Sequence, residues 1–168
     1  QLATLYEFNA EGKLTRMPDA GQKFGNSIIT PGFPYNGPQT FFSGGGGLVC
    51  TAGDYARFSQ MLLNGGKLDG VQLLSRKTVE LITSNQIGKL GYWDMGYGFG
   101  FGFYISRGPE HQKQVCSEGT YGWSGYFSTY YWIDPKEDIV VILMMQVAPW
   151  SPFIENEFMT YIYQALTE

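Results

Sequence analysis

The segment Ile139-Val140-Val141-Ile142-Leu143 is apolar at every position. A strand turns successive side chains to opposite faces, so a run without polar alternation needs cover above and below. This predicts a sheet packed between two layers, with this strand at its centre. Asp134-Pro135-Lys136-Glu137-Asp138, just before it, has turn chemistry and predicts a hairpin to a preceding strand. The covering layers are also legible. Thr51-Ala52-Gly53-Asp54 has capping-box spacing, Tyr55, Phe58, Met61 and Leu62 repeat at helical intervals, and Asn64-Gly65-Gly66 stops the helix. Ser75 caps a second helix that turns Val79, Leu81 and Ile82 inward. Ser151 caps a third, with Pro152 at its first position and Glu155 and Glu157 at its positive end. Its packing residues are Phe158, Tyr161, Ile162, Ala165 and Leu166. Two helices, three antiparallel strands and a helix make an α+β fold, an antiparallel sheet flanked by helices.

Other stretches fill in this frame. Leu5 to Leu14 reads as a short hairpin turning near Gly12, and Lys67 to Leu73 as a hairpin about Asp69-Gly70. Tyr97-Gly98-Phe99-Gly100-Phe101-Gly102-Phe103 alternates strictly and reads as one strand, aromatic on one face and bare on the other. The bare face lets a helix or a ligand approach the backbone. Residues 119–133 read as a strand, as do residues 139–146. Met17 to Ser43 is rich in Pro and Gly and reads as an ordered, irregular segment anchored by Phe24, Phe33, Tyr35, Phe41 and Phe42. Residues 85–95 form a loop holding Tyr92 and Trp93. Ser43-Gly44-Gly45-Gly46-Gly47-Leu48 lacks the Lys-Ser/Thr ending of a phosphate cradle, and reads as backbone squeezed past another element. The chain divides at residues 1–42 and 43–168.

Composition removes several function classes. Eleven Lys and Arg against fifteen Asp and Glu give a formal charge of -4, with no basic stripe for a nucleic-acid partner. The longest apolar run, Ile139 to Met145, is far short of the roughly 20 residues that cross a bilayer. His111, the single histidine, sits in a hydrophilic turn, and Cys50 and Cys116 read as two separate buried thiols, although one bridge between them is allowed. No metal site has familiar spacing, no cofactor is implied, and a histidine triad has no G-x-S-x-G elbow to serve it. The chain starts at Gln1 without a secretory pattern, so it is expected to be processed, cut, or part of a larger gene product.

Gly119-Thr120-Tyr121-Gly122-Trp123-Ser124-Gly125-Tyr126-Phe127 is the segment that can carry chemistry. Glycine weakens a strand interior, so it marks close approach by a ligand or by another backbone, or else a structural kink. Backbone N–H groups on such a strand can hold a developing oxyanion. The residues alone leave these readings open.

Ser43-Gly44-Gly45-Gly46-Gly47-Leu48-Val49-Cys50-Thr51-Ala52-Gly53-Asp54-Tyr55-Ala56-Arg57-Phe58 resembles a stretch of the serine β-lactamase and penicillin-binding superfamily. Gly122-Trp123-Ser124-Gly125, followed by Ile133-Asp134-Pro135-Lys136-Glu137-Asp138, is similar to its class C-like branch, which includes related carboxylesterases. Leu73-Leu74-Ser75 with its helix, and the closing helix, fit the same branch. The resemblance implies a β-lactamase/transpeptidase-like fold, present here as its carboxyl-terminal part, with residues 1–42 coming from the helical-lobe side. It implies acyl transfer: a Ser in Ser-x-x-Lys attacks, a Tyr or Ser loop moves the proton, and a Lys-Thr-Gly strand binds substrate.

Only the third element is present. No serine has Lys three positions on; Ser75-Arg76-Lys77 comes nearest, and positions two apart do not share a helix face. Neither Tyr-x-Asn nor Ser-x-Asn occurs. Trp123-Ser124-Gly125 takes the Lys-Thr-Gly place, and the backbone N–H of Tyr126 matches the oxyanion donor. An indole in place of the cation favours neutral esters or amides over carboxylate-bearing β-lactams. The implied function is one wall of a serine hydrolase, esterase-like or β-lactamase-like, inactive alone for want of a nucleophile. The alternative is a non-catalytic ligand-binding or assembly module derived from that fold. Implied partners are the amino-terminal part of the same protein, or self-association through open sheet edges, and a small ester, amide or β-lactam-like substrate. Bacterial periplasm and cytoplasm both fit the resemblance.

Overall fold

The computed structural model of the chain describes residues 3–32, 40, 42, 44–92, 96–112 and 114–167. It opens with β1 (Tyr6–Phe8) and β2 (Leu14–Arg16), paired antiparallel. Asn9 Oδ1 accepts from the amides of Glu11 and Lys13 and closes the expected turn. A second hairpin, β3 (Gln22–Phe24) and β4 (Ser27–Ile29), lies inside the stretch read as irregular. Three-residue strands are too short to display a period of two. Of the anchors expected there, Phe42 is 89% exposed, and Phe33, Tyr35 and Phe41 lie outside the described residues. Gly44, Gly45 and Gly46 form an exposed turn, and among the described residues none stands within 4 Å of a Cβ there, so no described backbone is squeezed past these three.

Helix α1 (Ala52–Leu63) carries the expected capping box: Thr51 Oγ1 accepts from Asp54 N, and Asp54 Oδ2 accepts from Thr51 N, both at 3.1 Å. β5 (Lys67–Leu68) and β6 (Val71–Gln72) turn through Asp69 and Gly70, both at positive φ, as a two-residue hairpin of this chemistry requires. Ser75 Oγ accepts from Thr78 N and caps α2 (Arg76–Ile82). Val79 is buried, but Leu81 is exposed. Residues two apart point to different sides of a helix, so both cannot face inward.

The alternating run 97–103 is not one strand. It bends at Gly100 into a hairpin of β7 (Gly98–Phe99) and β8 (Tyr104–Ile105), with Gly100 N donating to Phe103 O. The approach to its bare face is made by a helix end. Ile82 O lies against Gly100 and accepts from Phe101 N, and the Asn85 side chain lies against Gly98. One turn of helix, α3 (Pro109–Gln112), carries the exposed His111.

The run 119–133 is likewise two strands, β9 (Tyr121–Ser124) and β10 (Tyr130–Asp134), followed by β11 (Ile139–Leu143) and the short β12 (Val147–Ala148). The main sheet is antiparallel, in the order β11-β10-β9-β8-β7. A smaller sheet, β12-β1-β2, includes one parallel pair. The chain closes with α4 (Pro152–Gln164).

β11 is therefore an outermost strand among the described residues, not a central one. Apolarity on both faces reports layers above and below, not neighbours to the side. On one face, Met61 and Leu62 of α1 and Val79 of α2 pack with Phe103, Ile105, Tyr121 and Ile133, with Val140 against them. On the other, Met159 of α4 packs with Tyr130, Trp132 and Val141. In α4 the buried face is Glu155, Met159 and half-buried Ile162, whereas Tyr161, Ala165 and Leu166 are exposed. Tyr161 stands about 200° round the helix from Met159, and Ala165 and Leu166 lie at or past the last turn. Ser151 occupies the N-cap, but its hydroxyl makes no capping bond. Both cysteines are free; Cys116 is buried as expected and Cys50 is exposed. Among the described residues no helix is long and apolar enough to cross a membrane.

Candidate functional site

β9 is held on both sides at its start and on one side at its end. Its ladder with β8 covers Tyr121 and Gly122, while its ladder with β10 runs on to Ser124. Gly122 is buried where Tyr131 O crowds the backbone; a Cβ would also lie 2.9 Å from Trp132 Cα and 3.0 Å from Tyr104 Oη. Thr129 Oγ1 occupies the corresponding space at Gly125. Both glycines thus make room for groups of this chain.

The turn after β9 is firmly built. Gly125 N donates to Thr129 O, Ser128 N donates to Gly125 O, and Ser128 takes a φ of 60°. β12 clamps it from outside: Val147 N donates to Phe127 O at 3.1 Å, and Ser128 Oγ donates to Val147 O at 3.0 Å. Tyr126 and Phe127 rest on Leu5, Met17 and Ala148, so the amino-terminal hairpin props the turn.

Trp123, Ser124, Gly125 and Tyr126 are consecutive half-buried residues that follow two buried ones. Trp123 meets Phe99 edge-on, with ring centroids 5.5 Å apart, and lies tilted to Tyr92 at 5.8 Å. Tyr92 and Phe99 touch each other at 4.5 Å, which makes a three-ring wall. Trp93, expected beside Tyr92, lies outside the described residues.

Behind Ser124 is a cavity of about 30 Å³ lined by Tyr97, Tyr104, Tyr130, Trp150 and Glu155, among others. The hydroxyls of Tyr104 and Tyr130 bond at 2.7 Å. Tyr97 donates to Gln114 Oε1, and Gln114 Nε2 donates to Asn156 Oδ1 at 2.9 Å. Trp150 Nε1 donates to Glu155 Oε1. Glu155 is only 5% exposed. Burial pushes its carboxyl up to about 7, against the Trp150 hydrogen bond, which pulls it down. Burial also raises the phenols of Tyr97, Tyr104 and Tyr130, which stay neutral at ordinary pH. The sequence suggested Glu155 only as a complement to the helix dipole. Its spacing to Met159 and Ile162, four and seven positions on, is the signal that places it on the buried face.

Among the described residues no group of three His, Cys, Asp or Glu could hold a metal ion. The chemistry on offer is a flat aromatic wall and a hydroxyl, which suits holding and orienting a small molecule.

The Beta-lactamase family model matches residues 2–162. An uncharacterized protein of Mycobacterium tuberculosis is 33% identical over 159 residues, a match spanning 88% of this chain and 36% of that protein. EstCE1, a hydrolase with promiscuous acyltransferase activity, superposes with a TM-score of 0.78 at 23% identity, over 96% of this chain and 43% of its own. Simvastatin Synthase (LovD) from Aspergillus terreus gives a TM-score of 0.63 at 19% identity, over 99% of this chain and 42% of its own. At these identities the two structures speak for the fold alone. The chain spans about a third of the length of the curated relative it matches.

Proposed function

This chain belongs to the β-lactamase family, and on that premise we propose that it is the carboxyl-terminal part of a serine hydrolase, supplying the substrate-binding strand while the nucleophile comes from polypeptide outside it. One observation carries the reading: Trp123-Ser124-Gly125-Tyr126 is a partly open strand end and turn, in a chain with no Ser-x-x-Lys. In this role Trp123 offers a face and one N–H to a neutral acyl substrate, Ser124 donates its hydroxyl, and the Tyr126 amide stabilises the oxyanion. The substrate class is a small ester or amide in preference to an anionic β-lactam.

The experiment is to assay this chain alone and the protein with its amino-terminal part, using p-nitrophenyl esters and nitrocefin. Turnover is expected only from the longer form, and a serine-directed phosphonate should abolish it. Phosphonate-sensitive turnover by the pure 168-residue chain overturns the claim that the nucleophile lies elsewhere. Ligand binding without turnover by the longer form establishes the non-catalytic module instead. Within the active form, Trp123→Lys should lower kcat/KM for a neutral ester by about tenfold or more, because burying an aromatic face is worth roughly 1.5–3 kcal/mol. The same change should raise nitrocefin turnover relative to ester turnover.

The outer edge of β11 is the proposed joint with the missing part. An unpaired apolar edge recruits another strand. The chain alone should therefore self-associate in light scattering and give way to a one-to-one complex when the amino-terminal part is added. A strict monomer at high concentration counts against this joint.

A further inference from the structure

This inference rests on the reading of β9 as the substrate-binding strand and concerns what stands behind it. A phenol has one proton. The bonded pair Tyr104–Tyr130 uses one to join its two hydroxyls and keeps the other. That second proton needs an acceptor in the cavity both rings line. Tyr97 is already committed to Gln114, and Gln114 to Asn156. The oxygen acceptors on the cavity wall include Ser124 Oγ and the Glu155 carboxylate, which also accepts from the Trp150 indole. A cavity of about 30 Å³ also has room for a bridging water.

We propose that Glu155 is a positioning residue for Ser124: its carboxyl, acting through the Tyr104–Tyr130 pair and cavity water, decides whether the Ser124 hydroxyl donates inward or donates to substrate. An ionised carboxylate is acceptor-only and draws the surrounding hydroxyl protons toward itself. A protonated carboxyl donates, turns the chain around, and leaves the Ser124 O–H free to point outward. The groups facing Glu155 are Tyr97, Tyr104 of β8, Tyr130 of β10 and Trp150, with the Cys116 thiol deeper beside Tyr97. Among the described residues no Lys, Arg or His lines the cavity, and Glu157 on the same helix is exposed. Burial keeps the phenols and the thiol protonated, so among the described cavity groups Glu155 is the one that changes charge near neutrality.

Two readouts test this in the protein carrying its amino-terminal part. The first needs no turnover. The indole 15N–1H resonance of Trp150, assigned with Trp150→Phe, is followed from pH 5 to 9. Coupling is reciprocal, so Ser124→Ala, which removes a donor to the ionised carboxylate, should raise the midpoint by about 0.5 unit, a roughly threefold change in the ionisation constant. An unmoved midpoint overturns the proposal. The second is KM for a neutral ester. It should rise about three- to tenfold from the acid to the alkaline side of that midpoint, the range of one hydrogen bond, with kcat following its own profile. Glu155→Gln should flatten KM near its acid value; a wild-type KM profile in that variant overturns the proposal. If Glu155→Gln does not fold, Trp150→Phe keeps the carboxyl, removes its donor, and should move the KM transition to higher pH. A protein with no ester turnover refutes the functional reading of β9, and the indole titration still decides the coupling.

Discussion

Gly122→Ala should be among the most damaging single methyl additions in this fold. The added carbon would overlap Tyr131 O and press on Trp132 Cα and the Tyr104 hydroxyl, and two of these three are backbone atoms of the adjoining strand. A side-chain tip can rotate aside; a paired strand can move only by breaking its ladder. Overpacking of this kind costs typically 1–3 kcal/mol and more where backbone must shift, so a loss of at least about 3 kcal/mol is expected. For a chain this size that lowers Tm by about 10 °C. Two companions calibrate the result. Gly98→Ala meets the Asn85 side chain, 2.7 Å away at Cγ, and should cost about 1 kcal/mol, because that group can give way. Gly45→Ala stands in open space and should be silent within about 0.5 kcal/mol. Thermal melts by circular dichroism read all three. A Gly122→Ala protein melting with the wild type would mean that β10 can move away from β9 at Tyr131 and Trp132 without cost.

Gly122 also shows where sequence reasoning stopped. The glycines of β9 left ligand, backbone and kink as open explanations, and one sequence cannot choose, because the answer lies on another strand. Several signals contained within a few residues agree with the structure. The capping box at Thr51 and Asp54, the Asp69-Gly70 turn and the 134–138 hairpin all involve partners within five positions of each other. The larger departures arise where distant segments decide. The apolar run of β11 predicts a central strand, yet β11 is outermost among the described residues, because cover on two faces looks the same from the sequence whether or not a strand lies alongside. The runs at 97–103 and 119–133 were read through their turns, since alternation continues across a tight bend when the bend residues are themselves aromatic or glycine. The four residues proposed to touch substrate can be singled out from the sequence because they are contiguous. Glu155 was missed because its importance depends on Ser124, Tyr104 and Tyr130, all of which lie on the sheet and come from earlier in the chain.

Asp134→Ala is the second large loss expected, and it tests a tie that the hairpin reading did not contain. Asp134 is fully buried. Its Oδ1 accepts from the amides of Lys136 and Glu137, which shapes the β10–β11 turn. Its Oδ2 accepts from Ser117 N at 3.1 Å and from the Tyr163 hydroxyl at 2.6 Å. One carboxylate thus joins a turn, the segment entering β9 and the last turns of α4. Removing it leaves a half-buried phenol and amides without their acceptor, at about 1–3 kcal/mol for each buried group. The sum expected is about 3–4 kcal/mol, with Tyr163→Phe costing about 1 kcal/mol because it removes one bond and keeps the carboxylate satisfied elsewhere. The sign with pH follows from the same bonds. Burial pushes the Asp134 carboxyl up, the hydrogen bonds from Tyr163 and Ser117 outweigh it, and the net position is below the ordinary value. A depressed carboxyl stabilises the fold at pH values above its unfolded value, near 4, and that stabilisation is lost as pH falls through the folded value. Wild-type melts should therefore drop steeply below about pH 4, and Asp134→Ala should flatten that drop while lying lower throughout the neutral range. If the variant loses less than 1 kcal/mol at pH 7, α4 is held by its apolar face alone, and Met159 and Ile162 rather than Asp134 keep Glu155 behind the strand.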